Sequence, residues 1–85
     1  MALDILYFAW VRERVGVGGE RLEIPTGVAT PLDLAAWLAG RGGGYAEAFA
    51  DPERLRCALD QEIAPMTADL GQVREVAFFP PVTGG

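Results

Sequence analysis

The stretch VREVAFFPPVTGG, Val73 to Gly85, decides how the chain is read. From Glu75 to Phe79 the residues are β-formers that alternate, Val76 and Phe78 toward one face and Glu75, Ala77 and Phe79 toward the other, which predicts a strand. Pro80 and Pro81 have no amide hydrogen to give a ladder and hold φ near that of an extended chain, so pairing should end there while the backbone runs straight on. The expected organisation is a domain over residues 1–81 and a free tail over 82–85, with Val82, Thr83, Gly84 and Gly85 projecting into solvent. From Pro81 onward the chain can reach about 16–18 Å from the body of the domain. A terminus without side chains is thin enough to enter a narrow channel. Glycines at a terminus are often no more than frayed ends, but a strand, two prolines and a Gly-Gly carboxylate in that order form a more specific arrangement.

Composition narrows the chemistry. The 85 residues fit one domain, and a chain this short should bury only somewhat more than ~60% of its unfolded surface. The net charge is −5 and all seven basic residues are arginines, scattered singly or in pairs, so no basic patch is expected and nucleic acid is an unsuitable partner. Histidine and lysine are both absent. That removes the usual general base, the commonest metal ligand, a Schiff-base amine and a P-loop lysine, so no metal site and no side-chain catalysis are expected. Cys57 is the lone thiol; it fits neither a disulfide framework nor a multi-cysteine zinc site. In LRCAL it shares a strand face with Leu55 and Leu59, which reads as a small buried hydrophobe rather than a nucleophile. The glycines of GVGG, 16–19, lack the GxGxxG spacing of a nucleotide loop. The start, Met-Ala-Leu-Asp, has no basic region, and no apolar run approaches the ~20 residues that span a bilayer, so a soluble, cytoplasmic protein away from membranes is expected.

The other elements follow by pattern. Leu3 to Val11 is apolar on both faces, with Leu3, Ile5, Tyr7 and Ala9 on one and Asp4, Leu6, Phe8 and Trp10 on the other, and Asp4 marks the second as the outer face. One helical turn at Arg12–Val15 and a glycine connection lead to a second strand, Arg21–Ile24, with Leu22 and Ile24 inward. Thr30 as N-cap, Pro31 in the first position and Asp33 in the first turn predict a helix from Pro31 to Leu38 or Ala39, whose stripe of Leu34, Trp37 and Leu38 lies on the sheet. Tyr45–Ala50 reads as a short helical turn. Arg54–Leu59 is the third strand, Asp60-Gln61 a tight turn and Glu62–Ala64 a brief strand closed by Pro65. A helix on one face of a small mixed sheet is a two-layer α+β domain.

The ending EVAFFPPVTGG, the opening LYFAWVRERVG (Leu6–Gly16) and the middle segment CALDQEIA (Cys57–Ala64) together resemble the small-subunit family of molybdopterin synthase, the ubiquitin-like sulfur carriers. TADLGQVR, Thr67 to Arg74, stands where that family usually carries a shorter Asp-Gly-Asp turn. The resemblance implies a β-grasp (ubiquitin-like) fold, with one main helix packed on a mixed sheet whose first and last strands are parallel neighbours. It also implies a function. The carboxylate of Gly85 would be adenylated by a ubiquitin-activating-type enzyme that uses ATP, converted to a thiocarboxylate by a sulfur donor, and consumed in giving sulfur to a cyclic pyranopterin phosphate during molybdenum cofactor biosynthesis. The catalytic groups would belong to the large subunit of the synthase, in a heterotetramer of two small and two large subunits. This chain would bind no cofactor of its own. Phe8, Phe79 and, by the same resemblance, Ile63 would form the partner interface. The alternatives are a carrier for another pathway, such as the thiamine thiazole, a ubiquitin-like protein modifier, or a small acidic interaction domain whose tail is incidental.

Overall fold

A computed structural model describes residues 1–81. In order come β1 (Ala2–Tyr7), α1 (Ala9–Val15), β2 (Gly19–Glu23), α2 (Pro31–Ala39), α3 (Gly43–Ala48), a 3₁₀ turn (Pro52–Arg54), β3 (Arg56–Leu59), β4 (Glu62–Ala64) and β5 (Glu75–Phe79). The strands make one sheet in the order β2-β1-β5-β3-β4, with β1 and β5 parallel at its centre and every other neighbouring pair antiparallel. This is the α+β, β-grasp arrangement. Leu3, Ile5, Tyr7, Cys57, Val76 and Phe78 point to the inner face, where they join Val11, Leu34, Leu38, Phe49, Leu55 and Leu70 in one buried cluster. Edge-to-face contacts run through it from Tyr45 to Tyr7 (6.4 Å between ring centres), on to Phe49 (6.1 Å) and to Phe78 (5.0 Å).

The first strand is shorter than its sequence pattern suggests. It stops at Tyr7, Ala9 takes up a left-handed φ of 53°, and Ala9–Val15 is helix where strand was expected as far as Val11. Val11 and Val15, four residues apart, meet the core from one side of that helix. Gly16 closes α1 at φ 99°, donating its N–H to the Arg12 carbonyl at 2.8 Å, the left-handed cap that glycine adopts without strain. Trp10 therefore leaves the sheet and packs at the margin of the core.

Other boundaries move by a residue or two. β2 begins at Gly19 rather than Arg21, and Ile24, just past its end, still donates its N–H to the Met1 carbonyl at 2.7 Å. Pro52–Arg54 winds into a 3₁₀ turn instead of opening β3, because the Asp51 carboxylate accepts the Glu53 N–H at 3.2 Å and caps it. Leu55 and Cys57 are fully buried as expected, and Leu59 is half-buried. The main helix starts at Pro31, with the Thr30 hydroxyl accepting the Asp33 N–H at 3.1 Å and the Asp33 carboxylate accepting the Thr30 N–H at 3.2 Å, a reciprocal capping box. Asp60 and Gln61 both have positive φ, 49° and 72°, and form a two-residue turn of the kind that matches strand twist. The Asp60 carboxylate then accepts the N–H groups of Arg74 and Glu75, each at 3.0 Å, and so fixes where β5 begins. Leu70 anchors the longer segment that precedes it, buried in the core with its N–H on the Ala29 carbonyl at 2.8 Å.

Helices α1 and α3 cross so closely that a Cβ added at Gly44 would lie 1.8 Å from the Arg14 carbonyl oxygen. Gly44→Ala must push the two helices apart, and the cost should be about 1–3 kcal/mol, the range for overpacking a tight contact. Thr30→Ala, which removes one half of the capping box, should cost about 1 kcal/mol. Urea unfolding of both variants checks these values, and a Gly44→Ala midpoint equal to that of the parent would refute the close crossing.

Candidate functional site

The outer face of the sheet is built by register. Leu6 lies beside Ala77, Ala77 beside Ala58, and Ala58 beside Ile63, so one row of apolar side chains crosses four strands. Phe8 keeps an extended backbone after β1 and donates its N–H to the Phe78 carbonyl at 3.1 Å, which carries the parallel pairing one step further and sets Phe8 beside Phe79. Phe8 is 48% exposed and Ile63 80%, on a face where a solvated sheet would carry polar residues. The sequence singled out Phe8, Phe79 and Ile63, and the fold brings all three to this side. It underrated the floor between them. Leu6, Ala58 and Ala77 are small or flat enough to leave a shallow platform, and their outward alternation was the signal that could have found them. An Asp4–Arg21 ion pair at 3.0 Å bounds the platform toward β2.

The tail leaves from the end of the central strand. Pro80 and Pro81 lie beyond the ladder, half-buried, and with Trp10, Glu53 and Arg54 they line a groove of about 480 Å³. The expected tail, Val82, Thr83, Gly84 and Gly85, lies outside the described residues.

No described side chain is set up as a nucleophile. The Cys57 thiol is buried and donates to the Ala64 carbonyl at 3.2 Å, and burial pushes its pKa above the ordinary value, so it stays a neutral thiol. Tyr7 and Tyr45 both donate to one oxygen of Glu20, at 2.9 and 2.5 Å, and the Arg41 guanidinium stands 3.8 Å from the other. Burial, then the hydrogen bond to Glu20, raises both phenols. This cluster ties the β1–β2 edge to α3, and it presents no free base. Among the described residues no group of three or more acidic, cysteine or histidine side chains is placed to hold a metal ion, and no helix is long and apolar enough to cross a membrane.

Residues 5–85 match the ThiS family. The chain belongs to the ThiS family. It is 37% identical over 83 residues to the molybdopterin synthase sulfur carrier subunit of Haemophilus influenzae, covering 98% of this chain and 99% of that one. The subunit of the same name from Escherichia coli is 36% identical over 83 residues, with the same coverage. Among solved structures, SAMP1 from Haloferax volcanii covers 100% of both chains with a TM-score of 0.70 at 23% identity, a likeness that concerns the fold alone.

The buried groups of this ThiS-family chain have two measurable consequences. A thiol-alkylating reagent should modify Cys57 only as fast as the domain opens, so labelling of the native protein should be much slower than labelling in urea; equal rates would place Cys57 at the surface. Stability should also respond to alkaline pH. Cys57, Tyr7 and Tyr45 hold their protons more tightly folded than unfolded, so their contribution is complete below the ordinary values of 9.0 and 10.0 and is lost as pH rises past them. Urea midpoints measured from neutral pH upward should fall beyond about pH 9, and Tyr7→Phe should flatten the fall.

Proposed function

We propose that the chain is the sulfur carrier subunit of a molybdopterin synthase, with the main-chain carboxylate of Gly85 as its reactive group. The observation that carries this reading is the pairing, on one ThiS-family domain, of a bare apolar face at Phe8, Phe79 and Ile63 with a central strand that ends in Pro80 and Pro81 beside it. A face of that kind receives a protein partner, and a double proline delivers the tail unpaired.

The chemistry follows from what a carboxylate lacks. Its leaving group would be oxide, so it must first be activated. In the proposed sequence the Gly85 carboxylate oxygen attacks the α-phosphorus of ATP on a ubiquitin-activating-type enzyme and pyrophosphate leaves. The terminal sulfur of a persulfide donor then displaces AMP from the acyl carbon to give an acyl disulfide, and a second thiol attacks the donor's sulfur, forming a disulfide with it and releasing the thiocarboxylate. Its sulfur attacks a carbon of the cyclic pyranopterin phosphate in the large subunit and displaces the oxygen that carbon bears, which leaves with a proton, and water then hydrolyses the acyl–sulfur bond to return the Gly85 carboxylate. Each dithiolene takes two sulfurs, hence two charged carriers, which suits a heterotetramer of two small and two large subunits in the cytoplasm. ATP belongs to the activating enzyme, and this chain holds no cofactor.

Three measurements test the proposal. Incubation with the activating enzyme, ATP and a sulfur donor should add the mass of one oxygen-to-sulfur exchange at Gly85, and finding the sulfur on Cys57 would overturn it. Deleting Gly85 should leave the melting temperature essentially unchanged and abolish sulfur transfer, because it moves the reacting carboxylate by about 3.5 Å where ~1 Å already costs roughly 10²-fold. Phe8→Ala should weaken the complex with the large subunit at least about thirtyfold, the consequence of losing an aromatic anchor worth ~2 kcal/mol, while the isolated domain keeps its fold because Phe8 lies outside the buried cluster.

A further inference from the structure

The arginines that look scattered in sequence are not scattered in space. Arg14, at the end of α1, places its guanidinium carbon 4.5 Å from the centre of the Trp10 ring, and Arg54, in the 3₁₀ turn, places its own 5.5 Å from the same ring. Trp10 and Arg54 line the groove at Pro80 and Pro81, and Arg56 lies opposite Phe79 on the neighbouring strand. All three arginines are exposed, and among the described residues none is paired with a carboxylate, whereas Arg21 and Arg41 are paired with Asp4 and Glu20. Glu53 lines the groove beside Arg54, and Arg14 and Arg56 add positive charge next to it on a chain whose net charge is −5.

Stacking on an indole holds a guanidinium flat and leaves its in-plane N–H groups directed outward, the geometry that accepts a carboxylate bidentately. Arg56 spends one nitrogen on the backbone carbonyls of Leu55 and Glu53, at 2.9 and 3.3 Å, and acts by charge. The patch is continuous with the apolar platform through Phe79. Trp10 and Arg54 line the groove at Pro80 and Pro81, so a channel that takes the tail has its mouth against the Trp10–Arg54 end of the patch. The far end of the tail is a different place. Four residues past Pro81 can extend up to about 14 Å, so a fully extended tail would carry Gly85 away from Arg14 and Arg54.

We propose that Arg14 and Arg54, stacked on Trp10 and flanked by Arg56, are a second docking point that seats on carboxylates at the rim of the tail-accepting channel of the large subunit. This rests on the carrier reading. The contact is polar, peripheral and exposed, so it steers the encounter and aligns the tail with the channel, and the apolar platform holds the complex once formed.

The two roles separate kinetically. Association and dissociation of the full-length carrier with the large subunit are measured by stopped flow at low and at high ionic strength, for the parent, the Arg14→Ala/Arg54→Ala double variant and Phe8→Ala. The double variant should associate about tenfold more slowly at low salt, with the difference closing at high salt as charges are screened, and should dissociate nearly as the parent does. Phe8→Ala should dissociate faster at both. A double variant that associates as fast as the parent or faster at low salt, or equally slowly at both salts, overturns the acidic-rim contact and leaves the carrier reading intact. A parent chain that binds no large subunit overturns both.

Discussion

The parallel pairing of β1 with β5 is the constraint on which the rest of the molecule depends. It joins the first strand of the chain to the last, from Asp4 beside Glu75 to Tyr7 beside Phe78, and it forms only when nearly the whole sequence has been brought together. With β3 on its other side, β5 is held by two ladders along its length. Pro80 therefore follows an interior strand of the sheet and not a fraying edge. Pro80 and Pro81 make the change from paired to unpaired backbone abrupt, because neither offers an amide hydrogen to extend the ladder. A group presented on such a root has its origin fixed and its reach limited by the few residues beyond it.

The same pairing divides the sheet into two faces with opposite uses. Strand side chains alternate, so a slip of β5 by one residue against β1 would exchange Phe78 for Phe79 on the inner face. The inner set is locked by Phe49 and Tyr45, whose rings meet Tyr7 and Phe78 edge to face, and by the Glu20 carboxylate that takes both tyrosine hydroxyls. Only one register buries those rings and satisfies those hydroxyls. The outer face thus owes its exposed Phe8 and Ile63 to contacts made entirely on the inner side.

What was legible in the sequence was local. The strand at Glu75–Phe79 and the helix start at Thr30-Pro31-Asp33 carry their causes within a few residues, and both lie where the pattern put them. The end of β1 was not legible, because Val11 and Val15 suit a helix face as well as the preceding residues suit a strand, and a short apolar run fits either period. The outcome was decided by the space between the sheet and α3, where the close approach at Gly44 admits a helix at 9–15. Long-range features were invisible for the same reason. The capture of the β5 amides by Asp60 spans fourteen and fifteen residues, and Arg14 and Arg54 meet at Trp10 only through the packing of α1 against the chain that leads into β3. Composition alone described the arginines as dispersed, and the fold gathered three of the seven at the tail exit.

The residue types that the sequence lacks bear directly on the proposed chemistry. An activated acyl group at Gly85 would react with any amine or thiolate it could reach. The chain has no lysine, and its one thiol is buried, hydrogen-bonded to the Ala64 carbonyl and kept neutral by desolvation. The Met1 nitrogen is held by Glu23 at 3.1 Å. Because β1 and β5 are parallel, Met1 lies at the opposite end of the sheet from Pro80. Six residue steps from Met1 to Tyr7 span about 20 Å of strand, more than the roughly 14 Å that four residues beyond Pro81 can cover, and Pro81 itself lies further on in the same direction. Parallel pairing of the terminal strands thus sets Met1 and Pro81 at opposite ends of the sheet, and an acyl group formed at Gly85, as proposed, would lie beyond the reach of the Met1 nitrogen.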